Sequence, residues 1–217
     1  CFSIGTYTAN ATNSTIGHGL SVAPNFLILK KRDNQNKNWI VWSTGLGNDT
    51  QGFINLNTTG ATQTDSQIWQ NTAPTSTVFS VNYGTTETNA ASGDKFLFYA
   101  FADCEGYIKI GKYIGNADAN GPFIYTGFKP AFLMTRPVDS GDDPLVWDIV
   151  QSPINPMQKT LSTHNNSAQV DNSNRSIDFL SNGFKIRTSN SNANTSDSDG
   201  ILFMAFAENP FKYATAR

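Results

Sequence analysis

Residues 96–103 read FLFYAFAD and residues 201–208 read ILFMAFAE, so one apolar stretch occurs twice in the chain. Each stretch carries apolar side chains at successive positions, which favours a strand covered on both faces of its sheet. The two stretches lie 105 residues apart in a chain of 217 residues. Similar segments separated by half of a chain indicate an internal repeat.

Further matches follow in the same order through both halves. GTYTAN at residues 5–10 matches GKYIGN at residues 111–116. The other matched pairs are mostly apolar, namely Leu27 with Leu133, Trp42 with Trp147, Leu56 with Leu161, and Phe79 with Phe184. Core positions are therefore retained while surface positions differ. The sequence predicts two tandem homologous domains, residues 1–107 and residues 108–217, with the second copy built like the first.

Composition indicates the class of fold. The chain has 24 Asn and only three Glu, with many Thr, Ser and Gly residues. These residue types favour strands and turns over helices. The predicted strands are residues 25–32, 38–43, 53–57, 77–82 and 95–103 in the first copy, and residues 130–136, 144–150, 176–180, 183–188 and 200–208 in the second. Regular strand spacing with turn signals predicts an all-β fold, a jelly-roll-like β-sandwich in each copy.

Charge and hydropathy exclude two classes of partner. The net charge is −2, whereas nucleic-acid binding needs a concentrated basic surface. No apolar run approaches the ~18–20 residues that cross a bilayer, so membrane insertion is not expected. The two cysteines, Cys1 and Cys104, are too few for a disulfide framework, and Cys104 beside an apolar strand is expected to be a buried thiol.

Candidate catalytic groups are sparse. His18 lies in a Gly-His-Gly turn and His164 in a polar loop, and neither pattern predicts a Ser-His-Asp triad. The expectation is a protein that is not an enzyme and needs no cofactor. A glycan-cleaving enzyme stays open as an alternative, because Asp148 and Asp178 would supply the two carboxylates that it needs.

Loop carboxylates are the candidates for a metal site. Asp142, Asp143, Asp197 and Asp199 stand in polar loops, where a hard cation such as Ca²⁺ collects oxygen ligands. Ordinary Asx turns are the competing interpretation of the same residues. The first copy lacks matching carboxylates, which argues against a metal that the fold requires.

Tryptophans are the candidates for contacts with sugars, because an aromatic ring offers apolar area to a sugar face. Trp42 and Trp147 match in the repeat, which favours the core for both. Trp39 and Trp69 have no counterparts, and Asn71 stands close to Trp69. We therefore take Trp69, Trp39 and Asn71 as candidate carbohydrate-binding residues, with burial in a core as the alternative for the tryptophans.

Several segments resemble one group of known proteins. Tyr113 to Asn116, residues 121–132, residues 177–187 and residues 205–211 are similar to repeats in structural proteins of marine tailed phages. The resemblance covers nearly the whole chain and is strongest in the second copy. It implies a virion component, namely a tail fibre, a capsid fibre or a surface appendage, and brings no catalytic residues with it.

The expected function follows from these features together. The sequence predicts a non-enzymatic virion protein that contributes to host attachment, with surface glycans of the host and other virion proteins as partners. The resemblance implies self-association into a homo-oligomer, for which a trimer is the common form. The alternative is a lectin-like carbohydrate-binding module of a secreted or surface protein.

Overall fold

The computed structural model describes residues 1–33, 36–85, 87–89, 91–138 and 141–210. The prediction of an all-β fold is confirmed, because antiparallel sheets account for nearly all of the regular structure. The chain divides into two compact units. The first unit comprises Cys1–Asn57 and Thr62–Ala102, and the second comprises Thr58–Ala61 and Asp103–Arg217. Residues 211–217, at the end of the predicted second domain, lie outside the described residues.

The part of the first unit that the structure describes contains eight strands. They are β1 (Phe2–Thr8), β2 (Ser14–Gly17), β3 (Phe26–Lys31), β4 (Trp39–Ser43), β5 (Gly52–Asn55), β6 (Gln63–Thr64), β7 (Val78–Val81) and β8 (Lys95–Phe101). Six of these strands form one sheet in the order β1-β8-β3-β4-β5-β6, and β2 pairs with β7 in a second, two-stranded sheet. The five strands that the sequence predicts here are all present.

Within its described residues, the second unit contains nine strands, one short α-helix and one 3-10 helix, which spans Ser173–Arg175. The strands are β9 (Ile108–Tyr113), β10 (Phe123–Tyr125), β11 (Pro130–Pro137), β12 (Leu145–Asp148), β13 (Lys159–Ser162), β14 (Val170–Asp171), β15 (Ile177–Leu180), β16 (Gly183–Ile186) and β17 (Ile201–Ala207). The helix α1 spans Ser191–Asn194. The sheets have the orders β14-β13-β12-β11-β17-β9 and β10-β16-β15.

The large sheets of the two units have the same strand order. In each sheet the last strand of the unit lies between the first strand and the third, and three further strands follow toward the other edge. The registers also correspond, since Leu27 lies opposite Trp42 and Leu133 lies opposite Trp147. The sequence match of Leu56 with Leu161 as corresponding residues of the two copies is wrong. Leu161 lies opposite Val146 in the second unit, and the residue in the same position of the first unit is Ile54, which lies opposite Val41. The match is displaced because the loop before β13 is longer than the loop before β5.

A set of three aromatic rings packs at the centre of each unit. In the first unit the rings of Tyr7 and Phe98 lie 6.2 and 5.3 Å from the ring of Phe79, edge to face in both cases. In the second unit the rings of Tyr113 and Phe203 lie 5.9 and 5.4 Å from the ring of Phe184 in the same geometry. The core of each unit takes side chains from both of its sheets, which is consistent with a β-sandwich.

The tyrosine of each set is anchored by its hydroxyl group. Tyr7 donates a hydrogen bond of 2.7 Å to the carbonyl of Thr88, and Tyr113 donates one of 2.8 Å to the carbonyl of Ala193. Burial raises the pKa of both phenols above the ordinary value, so both hydroxyls stay protonated donors at neutral pH. These bonds hold the loop before the last strand of each unit against the first strand.

The expectation of a buried thiol at Cys104 is wrong, because Cys1 and Cys104 are both disulfide-bonded. The β1–β8 pairing places Cys1 beside the end of β8. Phe2 lies opposite Phe101 in the β1–β8 pair, and the amide of Ala102 donates to the carbonyl of Cys1 at 2.8 Å. The spacing of the cysteines in the sequence does not reveal that either residue is disulfide-bonded.

The segment Thr58–Ala61 packs within the second unit although it belongs to the first half of the chain. The carbonyl of Thr59 accepts a hydrogen bond of 2.9 Å from the amide of Gly141. The carbonyl of Gly60 accepts from the guanidinium group of Arg136, which also donates to the carbonyl of Pro137 at 2.6 Å. Arg136 is 1% exposed, and burial lowers its pKa to about 10. The guanidinium group is therefore charged at neutral pH and donates charged hydrogen bonds to the carbonyls of Gly60 and Pro137.

Candidate functional site

The tryptophan that seemed best placed for a sugar contact is inaccessible. Trp69 is 0% exposed, packs in the core of the first unit, and donates its indole N–H to the carbonyl of Gly52 at 3.0 Å. The candidate role of Trp69 in carbohydrate binding is therefore wrong, because a ring without exposed surface cannot stack on a sugar. The amides flanking Trp69 suggested a surface position, but its neighbour Ile68 is also buried.

The other two sugar candidates are more accessible. Trp39 is half-buried, and the ammonium group of Lys30 lies 6.0 Å from its ring centroid. Asn71 is exposed, and its side-chain oxygen accepts a hydrogen bond of 2.7 Å from Gln51. Each residue thus has a local contact of its own, and a carbohydrate role for Trp39 and Asn71 stays a prediction.

The metal candidates Asp142 and Asp143 stand beside the start of α1 and are engaged by protein donors. Asp143 contacts the guanidinium of Arg175 through Oδ2 at 2.7 Å and the imidazole of His164 through Oδ1 at 3.4 Å. Asp142 accepts a hydrogen bond of 2.6 Å from Ser191. An ion at Asp143 would have to displace the guanidinium group.

The second pair of metal candidates stands in the loop before β17. Asp197 accepts a hydrogen bond of 2.6 Å from Thr195, and Asp199 is an exposed turn residue. Within the described ranges, no three His, Cys, Asp or Glu side chains are grouped as metal ligands. The Thr195 hydroxyl also accepts a hydrogen bond of 3.2 Å from the amide of Asp197, so the Asp197 carboxylate is engaged within its own loop.

The groups considered for catalysis make local contacts. His18 is buried, with Nε2 3.0 Å from the carbonyl of Thr75 and Nδ1 accepting from the amide of Leu20. Asp178 pairs with Arg187 at 3.0 Å, and Asp148 accepts from the amide of Val150 at 2.7 Å. The ring of His18 and the carboxylates of Asp148 and Asp178 thus have roles in holding the fold.

A polar cavity opens on the inner face of the large sheet in the first unit. It has a volume of about 370 Å³, and we call it the amide pocket. Its apolar wall comes from β4, β5 and the loop after β6, namely Ile40, Phe53 and Ile68. Its polar wall comes from β5 and from the segments before β4, after β6 and before β8, and includes Asn38, Asn55, Asp65, Gln67 and Glu87. The pocket combines apolar surface with a few directed hydrogen-bonding groups, as small-ligand sites do.

Glu87 is the acidic group on the loop side of the amide pocket. Its Oε1 atom lies 3.4 Å from the ammonium of Lys37, and both side chains are about one quarter exposed. Its Oε2 atom is buried and has no hydrogen-bond partner among the residues that the structure describes. A buried carboxylate oxygen that accepts no hydrogen bond destabilises the fold, because it has lost its contacts with water. A ligand that donates a hydrogen bond to Oε2 of Glu87 would remove this cost.

Lys30 approaches the same group from β3. Its ammonium group donates to the carbonyl of Lys37. Burial lowers the pKa of Lys30, and the charge of Glu87 acts in the opposite direction by raising it. Two ammonium groups, those of Lys30 and Lys37, therefore interact with the Glu87 carboxylate.

A second cavity, of about 480 Å³, lies in the second unit beside the start of β9. We call it the Tyr125 groove, after a tyrosine that is 65% exposed. Asp103, Glu105 and Lys109 supply its charged groups. Asp103 accepts from the ammonium of Lys109 and from the amide of Ile110, so its carboxylate is held in place.

One family comparison is informative. A family model described as a domain of unknown function, DUF7483, matches residues 1–210. The chain belongs to the DUF7483 family. The matched range includes residues of both units. No curated protein and no solved structure matches the chain. Among the helices of the described residues, none is long and apolar enough to span a bilayer.

Sequence reasoning missed both cavities of this DUF7483 chain. The amide pocket draws Asn38, Asp65 and Glu87 from three separate segments, and the Tyr125 groove joins residues from the two sides of β9. One available signal was Glu87 itself, since the chain has only three Glu and this one follows no strand pattern.

Proposed function

We propose that this chain is a non-enzymatic structural component of a virion, built from two tandem copies of one β-sandwich and contributing to host attachment. The observation that carries the proposal is the repeated scaffold. Both units use the same strand order, the same edge-to-face aromatic set and the same tyrosine-to-carbonyl bond. A duplicated domain that keeps its bracing groups is suited to a mechanical role.

The buried polar side chains support this proposal. Asn89 donates to the carbonyl of Thr12 at 2.6 Å, and Asn194 donates to the carbonyl of Asp118 at 2.7 Å. Both asparagines are almost fully buried and occupy corresponding places, before β8 and before β17. Polar groups that recur in both units therefore hold loops in place, which is the role expected of scaffold residues.

The disulfide and the sequence resemblance point in the same direction. Disulfides persist outside the reducing cytosol, including on virion surfaces, and both cysteines of this chain are disulfide-bonded. Residues 121–132 and 177–187 resemble repeats in structural proteins of marine tailed phages. Self-association into a homo-oligomer is part of the proposal, as many weak surface contacts gain avidity from repetition.

Purified particles provide the test. We expect peptides of this chain in particles banded on a density gradient, and antibody labelling at a defined position on their surface. We also expect the recombinant chain to have a solution mass of a trimer or another homo-oligomer. Recovery of the chain only from fractions without particles would contradict the virion role, and a monomeric mass would contradict self-association.

A second candidate function is a lectin-like module, and the Tyr125 groove is the observation that favours it. Tyr125 presents an open ring face beside the carboxylates of Asp103 and Glu105. An aromatic face stacks on a sugar ring, while carboxylates accept hydrogen bonds from sugar hydroxyls. Binding to a glycan array should then be lost in Tyr125→Ala and kept in Tyr83→Ala, since Tyr83 is 52% exposed and lies outside the groove. Equal binding by both variants would exclude this site.

A further inference from the structure

Two Asx turns of the chain have the same geometry and end in different residues. The carboxylate of Asp65 accepts from the amide of Gln67 at 2.8 Å, and the side chain of Asn172 accepts from the amide of Asn174 at 2.9 Å. In both turns the next amide bonds back to the carbonyl of the first residue. That next residue is Ile68 in the first unit and Arg175 in the second.

Arg175 reaches from its turn across the inner face of the second unit's sheet. Its guanidinium group donates to Asp143 at 2.7 Å and to the hydroxyl of Thr160 at 3.1 Å. The side chain is 14% exposed, so the guanidinium group is largely buried beside Thr160. A guanidinium group held between a carboxylate and a hydroxyl is a favourable, directional arrangement.

Ile68 leaves the corresponding space open in the first unit. Phe53 of the first unit corresponds to Thr160 of the second. Phe53 pairs with Gln63 between β5 and β6, and Thr160 pairs with Val170 at the same position between β13 and β14. An isoleucine ends well short of the position that an arginine head group reaches. The amide pocket is the resulting cavity, and both Ile68 and Phe53 line it.

The acceptors are retained around this space. Asn38 and Asp143 occupy corresponding positions, because each stands five residues before the last residue of its strand, β4 or β12. Glu87 and Asn192 also correspond, because each directly precedes the residue whose carbonyl accepts the tyrosine hydroxyl, Thr88 or Ala193. Each unit therefore places one carboxylate and one amide here, Asp143 with Asn192 and Glu87 with Asn38. The second unit satisfies its acid with Arg175, whereas Glu87 keeps one buried oxygen without a partner among the described residues.

We propose that the amide pocket binds a guanidinium group, supplied by an arginine side chain of a partner polypeptide or by a small guanidinium compound. Glu87 and Asn38 accept its N–H groups, and Asp65, which also lines the pocket, adds negative charge. Lys37 yields its contact with Glu87, since that contact is long, at 3.4 Å, and partly exposed. The inference concerns a site distinct from the virion role and does not depend on it.

Titration of the full chain tests the proposal. The probe is L-arginine amide, followed through the side-chain amide signals of Asn38 and Asn57 in ¹⁵N-correlated NMR spectra. Asn57 is a second reporter because it donates to Asn38 at 3.1 Å. We expect saturable shifts of both signals in the millimolar range, and no such shifts with ethylammonium at the same concentrations, because an ammonium group lacks the planar fork of donors.

Variants separate the pocket from unspecific charge effects. Glu87→Gln should weaken binding about tenfold, since a hydrogen bond to a charged group is lost. Asp171→Asn removes the same charge from an exposed position of β14 and should bind as the parent does. The double variant Asn38→Asp with Ile68→Arg recreates the second unit's pair inside the pocket and should abolish binding of the probe.

A positive control comes from the second unit itself. Arg175→Ala opens a second guanidinium-sized space beside Asp143, so ethylguanidinium should raise the thermal midpoint of that variant by more than it raises the midpoint of the parent. Tighter binding of a Gly-Arg-Gly peptide than of arginine amide would identify a polypeptide as the source, and equal binding would identify the group alone. Absence of saturable shifts at Asn38, or equal binding by Glu87→Gln, would overturn the proposal.

Discussion

The ring of Phe98 lies directly over Gly5, so a Cβ atom built on Gly5 would stand 2.5 Å from the ring. The two residues are partners in the β1–β8 pair. Gly111 and Phe203 have the same relationship in the β9–β17 pair, with 2.9 Å between a built Cβ and the ring. In each unit an aromatic ring thus covers a glycine of the edge strand, and the bare backbone is what makes room for it.

Gly5→Ala and Gly111→Ala should each destabilise the fold by about 1–3 kcal/mol, because the covering ring must leave its position. Gly17→Ala is the matched control, since its nearest neighbour would be 4.0 Å from the new methyl group. Chemical denaturation measures all three variants. A loss at Gly17 as large as the loss at Gly5 would mean that the ring contact does not matter.

Tyr7→Phe and Tyr113→Phe should each cost about 1 kcal/mol, as each removes one hydroxyl that donates to a loop carbonyl. The free energy of unfolding is again the measured quantity. Tyr83→Phe serves as control, because Tyr83 is exposed at 52%. The two core variants should behave alike, and a large loss in only one of them would argue against corresponding roles in the two units.

Replacement of both cysteines by serine should lower the free energy of unfolding by about 2–5 kcal/mol, since a disulfide restricts the unfolded chain. Treatment of the parent protein with a reductant should produce the same lower thermal midpoint. The serine variant itself should not respond to the reductant. A parent midpoint that stays constant on reduction would show that the bond contributes nothing to stability.

Arg136→Ala should destabilise the second unit by about 2–3 kcal/mol, because the carbonyls of Gly60 and Pro137 lose a charged donor. The substitution should also make Thr58–Ala61 sensitive to limited proteolysis. Arg187→Ala, which removes a partly exposed arginine, should change stability by less than about 1 kcal/mol. Protection of residues 58–61 in Arg136→Ala would indicate that other contacts hold the segment.

The sequence predicts the strands that carry apolar runs and misses those that do not. All ten predicted strands are present, whereas β1 and β9 were not assigned as strands although their motifs mark the repeat. Gly5 and Gly111 interrupt their alternation, and glycine is unfavourable in a strand unless a neighbour covers it. The covering rings of Phe98 and Phe203 come from the far end of each unit, which local patterns do not reveal.

Contacts between distant segments explain the other differences. The Leu56–Leu161 match is off by two residues, because loop length is set independently of the strands on either side. Trp69 has neighbours with amide side chains in the sequence, but it is buried in the core, where its indole N–H donates to the carbonyl of Gly52. The amide pocket exists because Ile68 is shorter than Arg175, the residue at the corresponding position of the second unit. That difference gains meaning only when the two turns are compared in three dimensions.

The proposal that one β-scaffold occurs twice in this chain can be tested by the strand register in a crystal structure. We expect Leu27 to lie opposite Trp42 and Leu133 to lie opposite Trp147. We also expect a phenylalanine ring over Gly5 and another over Gly111. A one-residue slip in either sheet would turn every side chain of that strand to the other face, and such a register in one unit alone would contradict the claim.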